Sequence, residues 1–222
     1  MGVGNRFYGG YTGEDIAQPY GQAKLGNEHI GPLVTRGIVL DILELKISQG
    51  ETSALSQAEG GQTILVDNYR ITVDDIEKAM KRHKIKKVRP GDVVLFRTGW
   101  PWTVHETFVD SADGATKSRY AQLNPGPYLA ECKWLAAHRP AIVGADTWAF
   151  EVLGNPVIEH AFPCHQLLLT KEGIRIAEAF NLEGLADDGI AEFVFMYNPE
   201  YAKGATAGNA APFAMANPPR RD

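Results

Sequence analysis

The sequence predicts an α/β fold, a mixed β-sheet with helices packed against it. Three observations carry that expectation. Nearly continuous, β-branched apolar runs alternate with segments of helical period. The alternation keeps no strict strand-helix-strand rhythm, so a mixed sheet is expected and not an all-parallel one. The 23 Gly and 13 Pro among 222 residues supply more turns than a helix bundle needs. A Rossmann fold is disfavoured, because no Gly-x-Gly-x-x-Gly follows a strand and opens a helix. A chain of this length suits one domain or a tight pair with a sizeable core, and is expected as a single domain, 1–222, with a frayed tail at 217–222.

In chain order, Met1 to Gly31 is rich in Gly, Tyr and polar residues and has no period, so it is expected as a long ordered loop. Gly37 to Leu45 is almost wholly apolar and suits a strand buried on both faces. Gln49 to Gly61 is polar enough for an exposed excursion. Thr72 is an N-cap, with Asp74, Asp75 and Glu77 in the first turn and Lys81, Arg82 and His83 in the last. That charge order complements a helix dipole over Val73 to His83. Arg89 to Asp92 is a turn, and Val93 to Arg97 is a second buried strand that delivers Thr98-Gly99-Trp100 to its end. A loop with Trp102, His105 and Phe108 follows. Asn124-Pro125-Gly126-Pro127 starts a helix that carries Leu129, Cys132, Leu135 and Ala136 on one face. Ala141 to Gly144 is a short strand running into Asp146-Thr147-Trp148. Leu167 to Leu169 and Gly173 to Ile176 are core segments, and Ile190 to Tyr197 and Ala211 to Ala216 are the last strands.

Composition removes several function classes. The net charge of −5 leaves no basic field for a nucleic-acid backbone, so no nucleic-acid partner is expected. No apolar run approaches the roughly 18 residues that span a bilayer, and the N-terminus lacks a signal-peptide layout. A cytoplasmic protein with no membrane partner is therefore expected. Its two cysteines, Cys132 and Cys164, have no Cys-x-x-Cys spacing and are expected as reduced, partly buried thiols.

Three groups of residues could carry chemistry. His165 and Glu178 are donors suited to Zn²⁺ or Mn²⁺, and Lys171-Glu172-Gly173 can reverse the chain between them; a surface polar pair is the other reading. Asp146-Thr147-Trp148 leaves a strand end, where ligands bind in α/β sheets or where a turn is simply capped. Arg97 to Trp100 leaves another strand end and makes either an aryl-pocket wall or core. His105 and His160 are expected as exposed loop residues, and the basic run Lys81 to Lys87 as a solvated helix end.

These pieces occur in an order that resembles one family. Phe7-Tyr8-Gly9-Gly10 is followed by Val34-Thr35-Arg36-Gly37-Ile38-Val39-Leu40-Asp41, by Gly91 to Trp100 and by Asn124-Pro125-Gly126-Pro127. Val143 to Trp148 then leads to His165-Gln166-Leu167-Leu168-Leu169, Gly173-Ile174, Glu178, Asn181-Leu182-Glu183, Gly204-Ala205-Thr206 and Pro212. Almost the entire chain is similar to the cyclase family that includes bacterial kynurenine formamidase, the metal-dependent arylformamidases. The resemblance implies a swivelling β/β/α fold, a homodimer or higher homo-oligomer, a zinc or manganese ion, and hydrolysis of an amide or related bond in a small-molecule carbonyl substrate. The best-known example is N-formylkynurenine going to kynurenine and formate in tryptophan catabolism. It places metal ligands on His165 and Glu178, and Arg97, Trp100, Asp146 and Trp148 near the substrate pocket.

The family's His-x-Gly-Thr-His-x-Asp motif and nearby proton-transfer His would precede the Gly2 to Gly10 stretch, where only Met1 stands. None of His29, His83, His105, His138, His160 and His165 fits that pattern. The resemblance therefore implies an N-terminally incomplete domain and leaves the catalytic residue unknown. A catalytically silent relative that serves as a binding or oligomer-forming subunit is the alternative reading.

Overall fold

A computed structural model describes residues 4–58, 61–100, 114–155, 160, 162–209 and 211–217. Trp102, His105, Phe108 and most of the expected frayed tail lie outside them.

Near the N-terminus, β1 (Ala17–Gln18) and β2 (Gly21–Gln22) form a small antiparallel ribbon after a one-turn helix, Gly13–Ile16. Thr12 and Asp15 make a capping box on that helix, so the aperiodic opening segment holds more regular structure than a loop. β4 (Leu55–Gln57) and β5 (Thr63–Leu65) form a second ribbon, which pairs part of the expected excursion and buries Ala54 and Ala58.

The central sheet has six strands in the order β10 (Phe213–Met215), β9 (Glu192–Tyr197), β3 (Leu33–Asp41), β6 (Val93–Arg97), β7 (Ile142–Ala145) and β8 (Arg175–Ala177). β3, β6, β7 and β8 run parallel, whereas β9 is antiparallel to β3 and β10 to β9. The expected mixed sheet is thus present. Side chains alternate between two apolar layers. Ile38, Leu40, Val94, Phe96 and Val143 join the helices on one face, while Val39, Val93, Leu95 and Ile142 meet Leu182, Phe193 and Phe195 on the other.

The apolar run after Gly37 is not one strand to Leu45. β3 stops at Asp41, whose carboxylate accepts the Glu44 N–H at 2.8 Å and caps a helix over Ile42–Gln49. Apolar runs fit strand and buried helix equally, and the cap decides between them. The Val73–Arg82 helix forms as expected, with a Thr72–Asp75 capping box and His83 just past its end. Asp75 also holds the buried Lys46 ammonium at 2.6 Å, which ties the two helices together. The Leu129–His138 helix packs Cys132 and Leu135 inward. Leu167 to Leu169 lie in a wide, π-type turn, Gln166–Glu172, that buries Leu168.

The cysteines differ from expectation. Cys132 and Cys164 are both fully buried and joined by a disulfide, with their Cα atoms 5.6 Å apart. They are 32 residues apart in sequence, and only the packing of the Leu129–His138 helix on the Pro163–His165 turn makes them neighbours. Spacing alone held no sign of the bond.

Gly144 sets how closely β8 approaches β7. A Cβ there would lie 2.6 Å from the Ala177 carbonyl oxygen, 2.8 Å from Phe180 and 3.0 Å from Leu95. The nearest of these is backbone and has no side-chain freedom to yield. Gly144→Ala is therefore expected to cost about 1–3 kcal/mol, the usual range for overpacking, as a lowered urea midpoint with an unchanged slope. An unchanged midpoint would show that β8 can move away freely.

Candidate functional site

The four parallel strands end on one edge of the sheet, and the polar residues that follow them gather there. Asp41 and Arg97 end β3 and β6 opposite each other in register. The Arg97 guanidinium donates to Asp41 Oδ2 at 2.9 Å and to both oxygens of Glu183 at 3.0 and 2.6 Å. Its hydrogen bonding is thus spent on tying β3 and β6 to the segment after β8.

Asp146 follows β7 and is completely buried. Its Oδ2 accepts the N–H groups of Thr98 and Gly99, each at 2.8 Å, and its Oδ1 accepts the Thr98 hydroxyl at 2.7 Å. Burial pushes its pKa up to about 7 against the pull of these hydrogen bonds. Asp146 therefore fixes the turn at the end of β6 by capping it.

Trp100 is buried behind that turn and stacks on Tyr120, with ring centres 5.7 Å apart. Tyr120 stacks in turn with Trp148 at 6.1 Å, and the Trp148 indole donates to the Tyr120 carbonyl at 2.7 Å. Asp67 accepts the Trp100 indole N–H at 3.2 Å and a bidentate pair from Arg119 at 2.6 and 2.7 Å. The result is an aromatic wall held at both ends. Burial, and then the negative charge of Glu178, hold the Tyr120 phenol above its ordinary pKa.

Glu178 follows β8, and His165 ends the Pro163–His165 turn. The structure brings them together, with His165 Nε2 3.4 Å from Glu178 Oε1. On its other side, His165 Nδ1 lies 2.6 Å from Glu151 Oε1. Glu151 is fully buried and also accepts the backbone N–H groups of His165 at 3.0 Å and Cys164 at 2.8 Å. Burial lowers the pKa of His165, but its bonds to Glu151 and Glu178 outweigh that and push it up to about 9.

Three non-glycine residues near this pair have left-handed backbone. Phe150 (φ 56°) precedes Glu151, Phe162 (φ 58°) precedes the Pro163–His165 turn, and Ala179 (φ 56°) follows Glu178. Such conformations cost on the order of 1 kcal/mol each and persist where surrounding structure enforces them.

With the Nδ1 side of the ring occupied by Glu151, Nε2 is the ring atom turned toward Glu178. A carboxylate on one ring nitrogen, as Glu151 is on Nδ1, is the partner that orients a histidine ligand for zinc or manganese, and Glu178 lies on the Nε2 side as a second donor. His165 and Glu178 thus fit a divalent ion by donor type, with Nε2 facing Glu178. Among the described residues, no group of three or more His, Cys, Asp or Glu side chains completes the site.

Of the residues expected at the site, His165 and Glu178 meet directly, and Trp100 and Trp148 meet through Tyr120. Arg97 and Asp146 engage the strand ends. Glu151, Tyr120 and Asp67 were not anticipated. For Glu151 one signal was available: an acid inside the apolar run Ala149 to Leu153 needs a buried partner. His160 is exposed, and so are the lysines at 81, 84, 86 and 87.

Residues 15–152 match the model of the Cyclase family. No curated protein matches the chain. Among solved structures, one described as a novel cyclase is 29% identical, with a TM-score of 0.76 over 97% of this chain and 66% of its own. Isatin hydrolase A from Ralstonia solanacearum is 20% identical, with a TM-score of 0.59 over 85% of this chain and 63% of its own. An isatin hydrolase bound to the product analogue thioisatinate is 17% identical, with a TM-score of 0.57 over 82% and 60%. The chain spans less than two thirds of the length of each of these three structures. The likeness to the isatin hydrolases is one of fold.

The pKa of His165 makes stability depend on pH. Its folded value, about 9, lies above the unfolded value of 6.5, so the stabilisation is full below pH 6.5 and is lost as pH rises through 9. The unfolding free energy of metal-free protein should fall by up to about 3 kcal/mol between those limits. Glu151→Gln should flatten that slope in urea titrations at several pH values. An equally steep slope in the variant would show that Glu151 does not hold the proton on His165.

Proposed function

The chain belongs to the Cyclase family, and on that premise we propose that it is a metal-dependent hydrolase cleaving an amide or related bond of a small aryl carbonyl compound. The observation that carries this reading is His165, held on one side by buried Glu151 and facing Glu178 on the other. His165 and Glu178 would hold a zinc or manganese ion. When bound, such an ion makes hydroxide available at neutral pH and polarises a carbonyl.

The chain's own residues supply the setting. Glu151 keeps the Nδ1 side of the ring occupied and Nε2 aimed at Glu178. Trp100, Tyr120 and Trp148 stack in that order into an aromatic wall, beside which a planar aryl group would lie. Asp146 and Arg97 hold the strand ends that present this wall. N-formylkynurenine, an aryl formamide, is the substrate implied by the family resemblance. Isatin, the cyclic aryl amide named for two of the structural neighbours, presents the same combination of ring and carbonyl.

The two-donor set among the described residues favours a second reading, a catalytically silent subunit that binds ligand or a further copy of itself. Turnover separates the two. With Zn²⁺ or Mn²⁺ supplied, hydrolysis of either aryl amide supports the enzyme, and none of either supports the silent subunit. We also propose a homodimer or higher homo-oligomer, a reading supported by the exposed Val34, Phe213 and Met215 on one face of β3, β9 and β10. Monomers in light scattering at high concentration would exclude it.

Metal binding gives a direct test of the ligands. His165→Ala and Glu178→Gln are each expected to weaken Mn²⁺ binding at least tenfold in calorimetry. Because the metal must displace the proton on His165, affinity should also rise about tenfold per pH unit from 7 toward 9. Metal content unchanged in His165→Ala would remove His165 from the ligand set.

A further inference from the structure

We propose that the Cys132–Cys164 disulfide is a positioning crosslink for His165, so that the affinity of the chain for a divalent metal follows the redox state of these two sulfurs. The inference rests on the reading of His165 as a metal ligand. Cys164 is the residue immediately before His165, and its N–H and that of His165 are donated to the two oxygens of Glu151. Cys132 sits on the inner face of the Leu129–His138 helix. That helix is fixed by Glu131, whose carboxylate accepts the Tyr128 N–H at 3.1 Å. One end of the crosslink is therefore a ten-residue helix and the other a three-residue turn running into a wide π-type turn. Wide turns of this kind are uncommon and cluster at functional sites. Without the disulfide, the turn keeps Glu151 as its anchor but loses its covalent tie to the helix.

The chemistry has one intramolecular product, because the chain has two cysteines. A dithiol reductant supplies the thiolate that attacks one sulfur. The S–S bond breaks, a mixed disulfide forms, and the reductant's second thiol displaces it. The reductant ends as a disulfide, and its two electrons and two protons end on the Cys132 and Cys164 thiols. Both sulfurs are fully buried, so attack requires the Pro163–His165 turn to open locally. That opening is the motion that would displace His165.

The test compares the full chain oxidised, reduced by a dithiol that is then removed without air, and reoxidised, each state verified by alkylation and mass spectrometry. In metal-free protein, amide exchange at Cys164 and His165 should accelerate at least tenfold on reduction, while the Ile38 and Val94 amides of the sheet stay protected. The Mn²⁺ dissociation constant, read by electron paramagnetic resonance well below the melting temperature, should rise at least tenfold and recover on reoxidation. A purely structural crosslink would lower the melting temperature without moving that constant. The paired Cys132→Ser and Cys164→Ser variant should match the reduced chain; if it does not fold, reduced wild type carries the test. Free thiols in protein purified without reductant, or exchange and Mn²⁺ affinity indifferent to reduction, would overturn the inference, as would tighter binding by the reduced chain. No Mn²⁺ binding in any state would overturn the ligand reading, whereas Mn²⁺ binding that ignores reduction overturns the crosslink alone.

Discussion

A strand with apolar layers on both faces has no place for a charge along its length, and that constraint arranges the rest of this molecule. Where β3, β6 and β7 pair with each other, the sequence is β-branched and aliphatic almost without interruption. Their polar residues are displaced to the ends. Because the strands are parallel and in register, those ends coincide, and Asp41, Arg97, Asp146 and Glu178 come to one edge. The concentration of titratable groups there follows from excluding them everywhere else.

Burial at that edge is tolerable because each group has a partner. Glu151 is the extreme case, a fully enclosed carboxylate that accepts two backbone N–H groups and faces an imidazole. Removing one member of such a set leaves the others enclosed without compensation, which commonly costs more than the interaction contributes when intact. The left-handed residues at Phe150, Phe162 and Ala179 point the same way. Backbone strain beside each of the three polar side chains persists only where the hydrogen bonds they make are strong enough to hold it.

The layering of the fold was legible because it depends on patterns local in sequence. Val93 to Arg97 and the helix after Thr72 are visible from period, caps and charge order. The end of β3 was not, since Ile42 to Leu45 continues the apolar run and the change to helix turns on a single cap, Asp41. That His165 and Glu178 could meet was suggested by the chain reversal between them, whereas donor type alone suited a surface polar pair as well and the ligand reading came from the family resemblance. The apolar run around Glu151 signalled a buried acid, but its partner was hidden because it lies 14 positions away. The Cys132–Cys164 bond was hidden for the same reason at longer range. Tyr120 lacked any signal, because its helix, Gly114–Gln122, is short, polar and weakly amphipathic.

The pairing of β3 with β9 has a consequence for the time order of folding. Leu33 lies opposite Tyr197, and Ile38 opposite Glu192, so one side of β3 stays open until residues 192–197 have been made. Contacts across such long separations carry a high loop-closure entropy and slow the approach to the native state. On the ribosome, the β3-β6-β7 core can collapse first, leaving the open edge of β3 available to a wrong partner until β9 emerges. Chaperone dependence should therefore track delays in synthesis between β7 and β9.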